Sequence, residues 1–412
     1  MTSGNQDVVV VGAGMAGLAC ARLLNAAGRS VVVVEKSDGV GGRVRTDVVD
    51  GFRLDRGFQI LLTAYPELSR WFDLSELQLR PFLPGATIWL GEKFTSIGDP
   101  RRAPKDLPAT LFGPVGTFAD RLRLLQLLID VRRKSVPALL RKPDSSTMDE
   151  LRARKFSSAF IEHFFSPLFA GIQLDPELQV SSRRFEVILR MLATGKSVVP
   201  AHGMGELSRR LSASVDVRCE HEVSNLERAA NGWSVQCTNG EQFLARHLVV
   251  ATDGPTAHRL IGVPDSGSSP VAAIWFETTA APLHDRHILL DGAQSGPMKN
   301  LASLSAVAPE YAPPQRHLAV AAIPGESALQ SDLEQQVRQQ LKQWLPESEQ
   351  WETLRIDVIR HGQPTQLPHF SPKQKVQLEN NLWVCGDHRD TASIQGALYS
   401  GRRCAEELLA LS

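Results

Sequence analysis

The sequence predicts an α/β protein with a Rossmann-like first lobe assembled from separated segments and a second lobe of α+β type. Three observations carry this. Val8 to Val11 are four consecutive β-branched residues followed at once by Gly12-Ala13-Gly14-Met15-Ala16-Gly17. A second such run, Val31 to Val34, ends in Glu35, and the far end of the chain repeats the logic as Leu382-Trp383-Val384-Cys385, Gly386-Asp387 and a closing helix. The length of 412 residues, against a typical domain of ~150, asks for two or three units.

Each element has a local reason. An uninterrupted β-branched run is the pattern of a strand buried on both faces of a parallel sheet. Met15, Leu18, Ala19, Arg22 and Leu23 then recur at helical spacing up to Gly28, giving a strand–helix–strand unit. Gly12 permits the tight turn, Gly14 lets backbone approach a pyrophosphate, and Gly17 lets the helix pack on the strand, while the helix N-terminus offers N–H groups to an anion. Glu35 lies 23 residues after Gly12, where a carboxylate accepts hydrogen bonds from a ribose diol and repels a 2′-phosphate. A dinucleotide is the expected ligand.

Composition excludes several classes. Lys+Arg and Asp+Glu are both 45, which removes the chain-wide electrostatic case for binding nucleic acid. With 42% hydrophobic and 22% charged residues, the chain can bury a large core. The five cysteines, Cys20, Cys219, Cys237, Cys385 and Cys404, form no CxxC pair, so a reducing, cytoplasmic setting is expected. The longest uncharged stretch, Val8 to Ala21, has 14 residues, short of the ~18 needed to span a bilayer. His284 and His287 flank Asp285 and Arg286 in a polar loop, and no metal site is expected.

The continuation Glu35-Lys36-Ser37-Asp38-Gly39-Val40-Gly41-Gly42-Arg43 adds a second glycine turn ending in a cation. It resembles the FAD signature of the superfamily that holds flavin amine oxidases, protoporphyrinogen oxidases and phytoene-type desaturases. A guanidinium supplies planar donors for phosphate oxygens, and the glycines remove side chains that would hold the backbone away. The resemblance implies an FAD-binding lobe and a substrate lobe, with FAD held non-covalently. The cofactor-binding residues it implies are Gly12, Gly14, Met15, Ala16, Gly17, Glu35, Lys36, Gly41, Gly42 and Arg43 in the first segment. Leu54-Asp55-Arg56-Gly57-Phe58-Gln59 resembles the element beneath the isoalloxazine ring, adding Gly57, Phe58 and Gln59. Backbone near Val223 is expected at the adenine. Gly386, Asp387, Gln395 and Ala397 resemble the closing motif, in which the acid touches the ribityl or pyrophosphate portion and a helix N-terminus faces the flavin. Cys385 and Cys404 are expected to pack as small apolar groups.

The FAD lobe is expected over 1–80, 196–265 and 366–412, and the substrate lobe over 81–195 and 266–365. In the latter, Ser331 with Glu334 and Thr147 with Glu150 have capping-box spacing, and Val271–Phe276, Leu318–Ile323 and Leu354–Ile359 read as strands of a sheet covering the cofactor. Thr117–Lys142 holds seven basic residues against Asp120 and Asp130, with Leu124, Leu125, Leu128 and Val131 on one helical face. Two readings stay open there: a helix packed on its own lobe with a solvated basic face, or peripheral contact with a membrane.

Members that oxidise amines carry a roof lysine and an aromatic cage; here Ala272 or Ala273 stands at the lysine position and Ser393 at a cage position. The expected activity is therefore dehydrogenation of a hydrophobic small molecule by hydride transfer to flavin N5, desaturase- or porphyrinogen-oxidase-like, with Phe164–Gly171 a candidate cavity wall. No side chain is assigned a catalytic role. The alternatives are a flavin amine oxidase and a non-catalytic prenyl- or lipid-binding module of the GDP dissociation inhibitor type.

Overall fold

The computed structural model describes residues 2–98, 102, 107–278, 280 and 286–411. Four valines, Val8 to Val11, sit at the centre of an eight-stranded sheet, fully buried or nearly so. They pair in parallel with Val31–Val34 on one side and with His247–Val250 on the other. Asp216–Arg218 extends the sheet beyond Val31–Val34, also in parallel. The strand Gln242–Val250 is shared: Gln242–Ala245 pairs antiparallel with Trp233–Gln236, whereas Leu248–Val250 pairs parallel with Leu382–Val384. Such a strand places the carboxyl ends of five parallel segments, from three distant parts of the chain, along one edge. Open α/β sheets bind ligands there.

Two helices close one face of this sheet, Met15–Ala26 and the final helix Ile394–Ala410. They touch at backbone distance: a Cβ added at Gly401 would lie 2.2 Å from the Ala16 carbonyl oxygen. Cys20, Cys385 and Cys404 are buried together in the core these helices cover, as free thiols, the role expected of the last two.

A second, seven-stranded sheet runs in the order Glu352–Pro364, Ser268–Thr278, His317–Pro324, Asn300–Ser303, Ile288–Asp291, Gly85–Trp89 and Phe94–Gly98. Its first three members contain the three strands read from the sequence. Beside it stands a helical cluster with aromatic packing, in which Phe169 and Phe185 lie 4.6 Å apart and Phe156 and Phe165 5.0 Å apart. A π-helical turn, Ile161–Phe165, lets the consecutive Phe164 and Phe165 both enter that core.

Both capping assignments in this part need correction. The helix Thr147–Ala153 is capped one residue earlier, by Ser146, whose hydroxyl oxygen accepts from Asp149 N at 3.0 Å and donates to Asp149 Oδ2 at 2.7 Å. Thr147 instead donates to the Val180 carbonyl, because Ser146 pairs with Ser181 across a β-bridge and turns the next side chain inward. The helix Leu333–Trp344 begins after Asp332 with no side-chain cap. Glu334 accepts from Arg338 Nε at 2.9 Å and from the Thr353 hydroxyl at 2.6 Å, a partner on the neighbouring sheet that local spacing cannot reveal.

The basic segment forms two helices, Phe118–Arg133 and Val136–Arg141. Leu127 and Val131 are buried against the helical core, while Phe118, Leu122, Leu125 and Ile129 are exposed on a different face at spacings of four, three and four. The expected face of Leu124, Leu125, Leu128 and Val131 is thus split, since the helix carries two apolar stripes and only one is covered. No helix among the described residues is long and apolar enough to cross a membrane. His284 lies outside the described residues; His287 is buried, its Nδ1 3.4 Å from the Thr87 hydroxyl.

Candidate active site

One cavity of about 1540 Å³ runs from the carboxyl edge of the parallel sheet, under the second sheet, into the helical cluster. It exceeds the ~300–1,000 Å³ of an ordinary ligand pocket, leaving space for two molecules end to end. Every sequence-derived cofactor residue except Gly17 borders it: Gly12, Gly14, Met15, Ala16, Glu35, Lys36, Gly41, Gly42, Arg43, Gly57, Phe58, Gln59, Val223, Gly386, Asp387, Gln395 and Ala397. Gly17 is a correction. A Cβ there would lie 2.0 Å from the Gly12 carbonyl oxygen and 3.1 Å from Ala251 Cβ, so it serves the helix–strand contact and does not face the ligand space.

At Gly14 the opposite holds. Its backbone angles suit any residue, φ −74° and ψ 177°, and an added Cβ would meet no protein atom within 4 Å. Nothing in the chain itself requires glycine there; the volume is kept free for something else. Gly14 is also the N-cap of the first helix and provides no side-chain cap, so that helix opens on the cavity with unsatisfied N–H groups, an anion site by construction. Gly41 closes the other side by donating its N–H to the Ala13 carbonyl at 2.8 Å.

Glu35, 8% exposed, spans the two turns. Its Oε2 accepts from Ala13 N at 2.8 Å and its Oε1 from Ser37 N at 2.9 Å and the Ser37 hydroxyl at 2.8 Å. Oε2 keeps acceptor capacity toward the cavity, whereas both lone-pair sites of Oε1 are taken by Ser37. Arg43 ties three segments together, donating from Nη2 to Asp387 Oδ1 at 2.8 Å and from Nη1 to the Gly362 carbonyl at 2.7 Å. Gln59 donates its amide to the carbonyls of Arg43 and Arg56, and Phe58 meets Phe82 edge-on with ring centres 6.4 Å apart. At Gly57 the second sheet comes down on the first lobe, since a Cβ would lie 2.8 Å from Ile359 Cδ1.

Behind this contact Asp55 is 1% exposed. It accepts from the Thr46 hydroxyl, from Met204 N at 2.9 Å and from the Tyr311 hydroxyl at 2.9 Å. Burial pushes its carboxyl up to about 6 despite these bonds. Arg355 of the second sheet donates to the carbonyls of Leu54 at 3.1 Å and Asp55 at 2.9 Å. Tyr311, from the short helix Pro309–Tyr311, and Arg355, from the second sheet, therefore tie that lobe to the two-stranded hairpin of Thr46–Val49 and Phe52–Asp55, at the point where Gly57, Phe58 and Gln59 leave it.

The final helix begins at the same space. Ser393 caps it, its hydroxyl oxygen accepting from Gly396 N at 3.0 Å, and Gln395 Oε1 accepts from Glu67 N at 2.9 Å. The position read as an empty cage corner thus has a structural task. On the second sheet Ala272 and Ala273 are buried, and among the described residues only Lys36 and Lys373 are lysines bordering the cavity. Lys299 does not reach it and donates to the Gly296 carbonyl at 3.2 Å.

Sequence reasoning missed Tyr65, Asn300, Gln363 and Arg184, which also border the cavity. Arg184 had a signal: it precedes Ile188 and Met191 by one and two turns on the helix Ser182–Thr194, and all three are buried, a charge on an apolar stripe.

Residues 15–409 match the model of the flavin-containing amine oxidoreductases. The chain belongs to that family. That family is one of flavin-containing oxidoreductases. Among curated relatives it is similar to a phytoene dehydrogenase of Streptomyces griseus, 29% identical over 62% of this chain and 56% of the relative. It is also similar to a putrescine oxidase of Kocuria rosea, 52% identical over 22% and 19% of the two chains. The alignments span little more than half of these relatives at most. Among solved structures, a putrescine oxidase bound to putrescine superposes with a TM-score of 0.74 over 100% of both chains at 18% identity. A protein of Exiguobacterium sp. 255-15 assigned as a protoporphyrinogen oxidase gives 0.73, also over 100% of both chains at 18% identity. These two establish the fold.

Proposed function

We propose that the protein dehydrogenates a hydrophobic small molecule, with FAD held non-covalently between the three separated segments of the first lobe. The residues fit that group: the free volume at Gly14, the uncapped helix above it and the acceptor capacity of Glu35 suit a pyrophosphate and a ribose, while Gly57, Phe58, Gln59, Gln395 and Ala397 border the adjoining space. No cysteine of the described residues borders the cavity, which supports a non-covalent attachment. When bound, FAD supplies an acceptor for a hydride equivalent at N5.

The observation that carries the substrate reading is the wall beyond the cradle. It is built from Phe160, Phe164, Phe165, Leu168, Phe169 and Ile172 with Ile188 and Met191, and among the described residues no lysine of the second sheet borders the cavity. Such a wall excludes water and positions an apolar carbon by shape, the contribution that hydride transfer asks of a protein. The second sheet, pinned through Asp55, Tyr311 and Arg355, holds that wall against the flavin side.

A test is anaerobic mixing of the yellow holoprotein with candidate substrates. Bleaching by a polyene or a porphyrinogen and not by putrescine or other amines is the expected result; bleaching by an amine would establish the amine-oxidase reading, which the matching segment of the putrescine oxidase keeps in view. Ligands extracted from the native protein and identified by mass spectrometry would name the substrate directly.

The uncovered stripe adds a proposal about partners. Phe118, Leu122, Leu125 and Ile129 are exposed and border the cavity, and Arg132 and Arg133 follow on the same helix. An apolar stripe with basic neighbours at a cavity mouth suits contact with an anionic bilayer from which a lipophilic substrate enters.

A further inference from the structure

We infer that the substrate carries an anionic group, a carboxylate or its equivalent, which Arg184 receives at the inner end of the apolar cavity. This rests on the proposed hydrophobic substrate and narrows it to an amphipathic one. Arg184 is 3% exposed and stands in the cavity wall. Its Nη2 donates to Gln363 Oε1 and to the Ala392 carbonyl at 2.8 Å, whereas its Nη1, buried as well, has no partner. No carboxylate of the described residues forms an ion pair with it. Burial accordingly pushes its pKa down to about 10, against the attraction of the more distant Tyr65, Asp387 and Asp175.

Three other arginines on this cavity are paired, Arg43 with Asp387, Arg56 with Asp47 and Arg402 with Glu67, and Arg70, Arg259 and Arg360, which border it with no ion pair among the described residues, are exposed to solvent, unlike Arg184. A buried guanidinium without a counter-ion is costly, and a planar fork with one arm already fixed is preorganised to receive one oxygen of a carboxylate. Its surroundings define the remainder of the ligand. Ile188 and Met191 continue from Arg184 along the same helix, and Phe165 and Phe169 belong to the adjoining wall, so the group bound at Arg184 is the polar end of an apolar body. Arg184 comes from the helix that builds the aromatic wall, and its bonds to Gln363 and Ala392 set its head where that wall meets the cofactor side, so the free arm faces the apolar body of a substrate and FAD retention in a variant separates the two ligands.

The experiment uses the FAD-loaded protein and a matched pair of probes, decanoate and decanol, with binding read from the flavin difference spectrum. Wild type is expected to prefer decanoate by about tenfold or more, the order of one charge-assisted hydrogen bond. Arg184→Met should reduce that preference to within about twofold while leaving decanol affinity and FAD retention unchanged, and Arg184→Lys should restore part of it. Equal wild-type affinities for the two probes, a preference surviving in the Met variant, or loss of FAD in that variant would each overturn the assignment. Binding of neither probe would instead remove the hydrophobic-substrate reading on which it rests. If the Met variant does not fold, the wild-type comparison and the Lys variant decide.

Discussion

The two ends of the cavity are built in opposite ways. The cradle is made of backbone: Gly14, Gly41 and Gly42, an uncapped helix and strand ends, with Glu35 and Arg43 bracing them. The far end is made of side chains, packed aromatics, and a buried guanidinium, Arg184, stands where the two meet. Backbone sites recognise what all relatives share, because peptide N–H groups are the same in every sequence; side-chain walls can diverge without disturbing the sheet beneath. Specificity therefore resides in the side-chain walls. Damage at the two ends should also be separable.

The largest effect is expected in the aromatic wall. Phe165→Ala removes a fully buried ring that meets Phe156, Phe160, Phe164, Phe169 and Phe185, and should cost about 3–5 kcal/mol in chemical denaturation. FAD affinity of the fraction still folded should be unchanged; a parallel loss of FAD affinity would show that the two ends are one cooperative unit.

Next is the junction between them. Asp55 has its folded pKa raised to about 6 from 3.8, so the native state binds the extra proton, and stability must fall as pH rises through the window from about 4 to 6. The full difference approaches about 3 kcal/mol. Asp120, buried at the far end, shows the reverse: against the cost of burial, the N–H and hydroxyl groups of Ser157 and Thr117 hold it down to about 2. Its contribution is present above the unfolded value and is lost as pH falls toward 2. Asp55→Asn should flatten the first slope and leave the second intact, measured by urea titration at successive pH values. An unchanged slope between pH 4 and 6 would show that Asp55 is not the group responsible.

In the cradle, Gly14→Val should weaken FAD binding about 100-fold, roughly 2.7 kcal/mol, with apoprotein stability within about 1 kcal/mol of wild type, since a Cβ added there meets no protein atom within 4 Å. Retained FAD affinity would mean that the free volume serves something else. The smallest effect concerns the uncovered stripe. Leu122→Asp with Leu125→Asp should reduce co-sedimentation with vesicles containing phosphatidylserine by about tenfold without altering thermal stability, as both side chains are more than half exposed. Equal sedimentation of wild type and variant would exclude this stripe as a lipid contact.

The contrast also explains what could be read in advance. The cradle was legible because its determinants are short and local: a valine run, glycines at fixed offsets, an acid at the next strand end, and a second strand–glycine–acid unit near the terminus. Gly17 faces Gly12 and Ala251 in the helix–strand contact its motif position implies, so only its place among the cofactor-lining residues needed correction. The capping boxes show the limit of local spacing. Thr147–Glu150 had the right spacing, but the β-bridge from Ser146 to Ser181 moved the cap by one residue. In the basic helix a single apolar face was expected where there are two, because periodicity counts apolar residues and does not say which stripe another element will cover.

The sequence by itself therefore determined the parallel sheet, its glycine turns and the kind of ligand they admit, because those depend on backbone conformation that residue type dictates within a few positions. Packing of distant segments settles how Asp55 joins Tyr311 and Arg355, and that the Arg184 guanidinium is buried with one arm unpartnered. Burial and pairing across 100 or more residues are properties of the packed chain, and no local pattern encodes them.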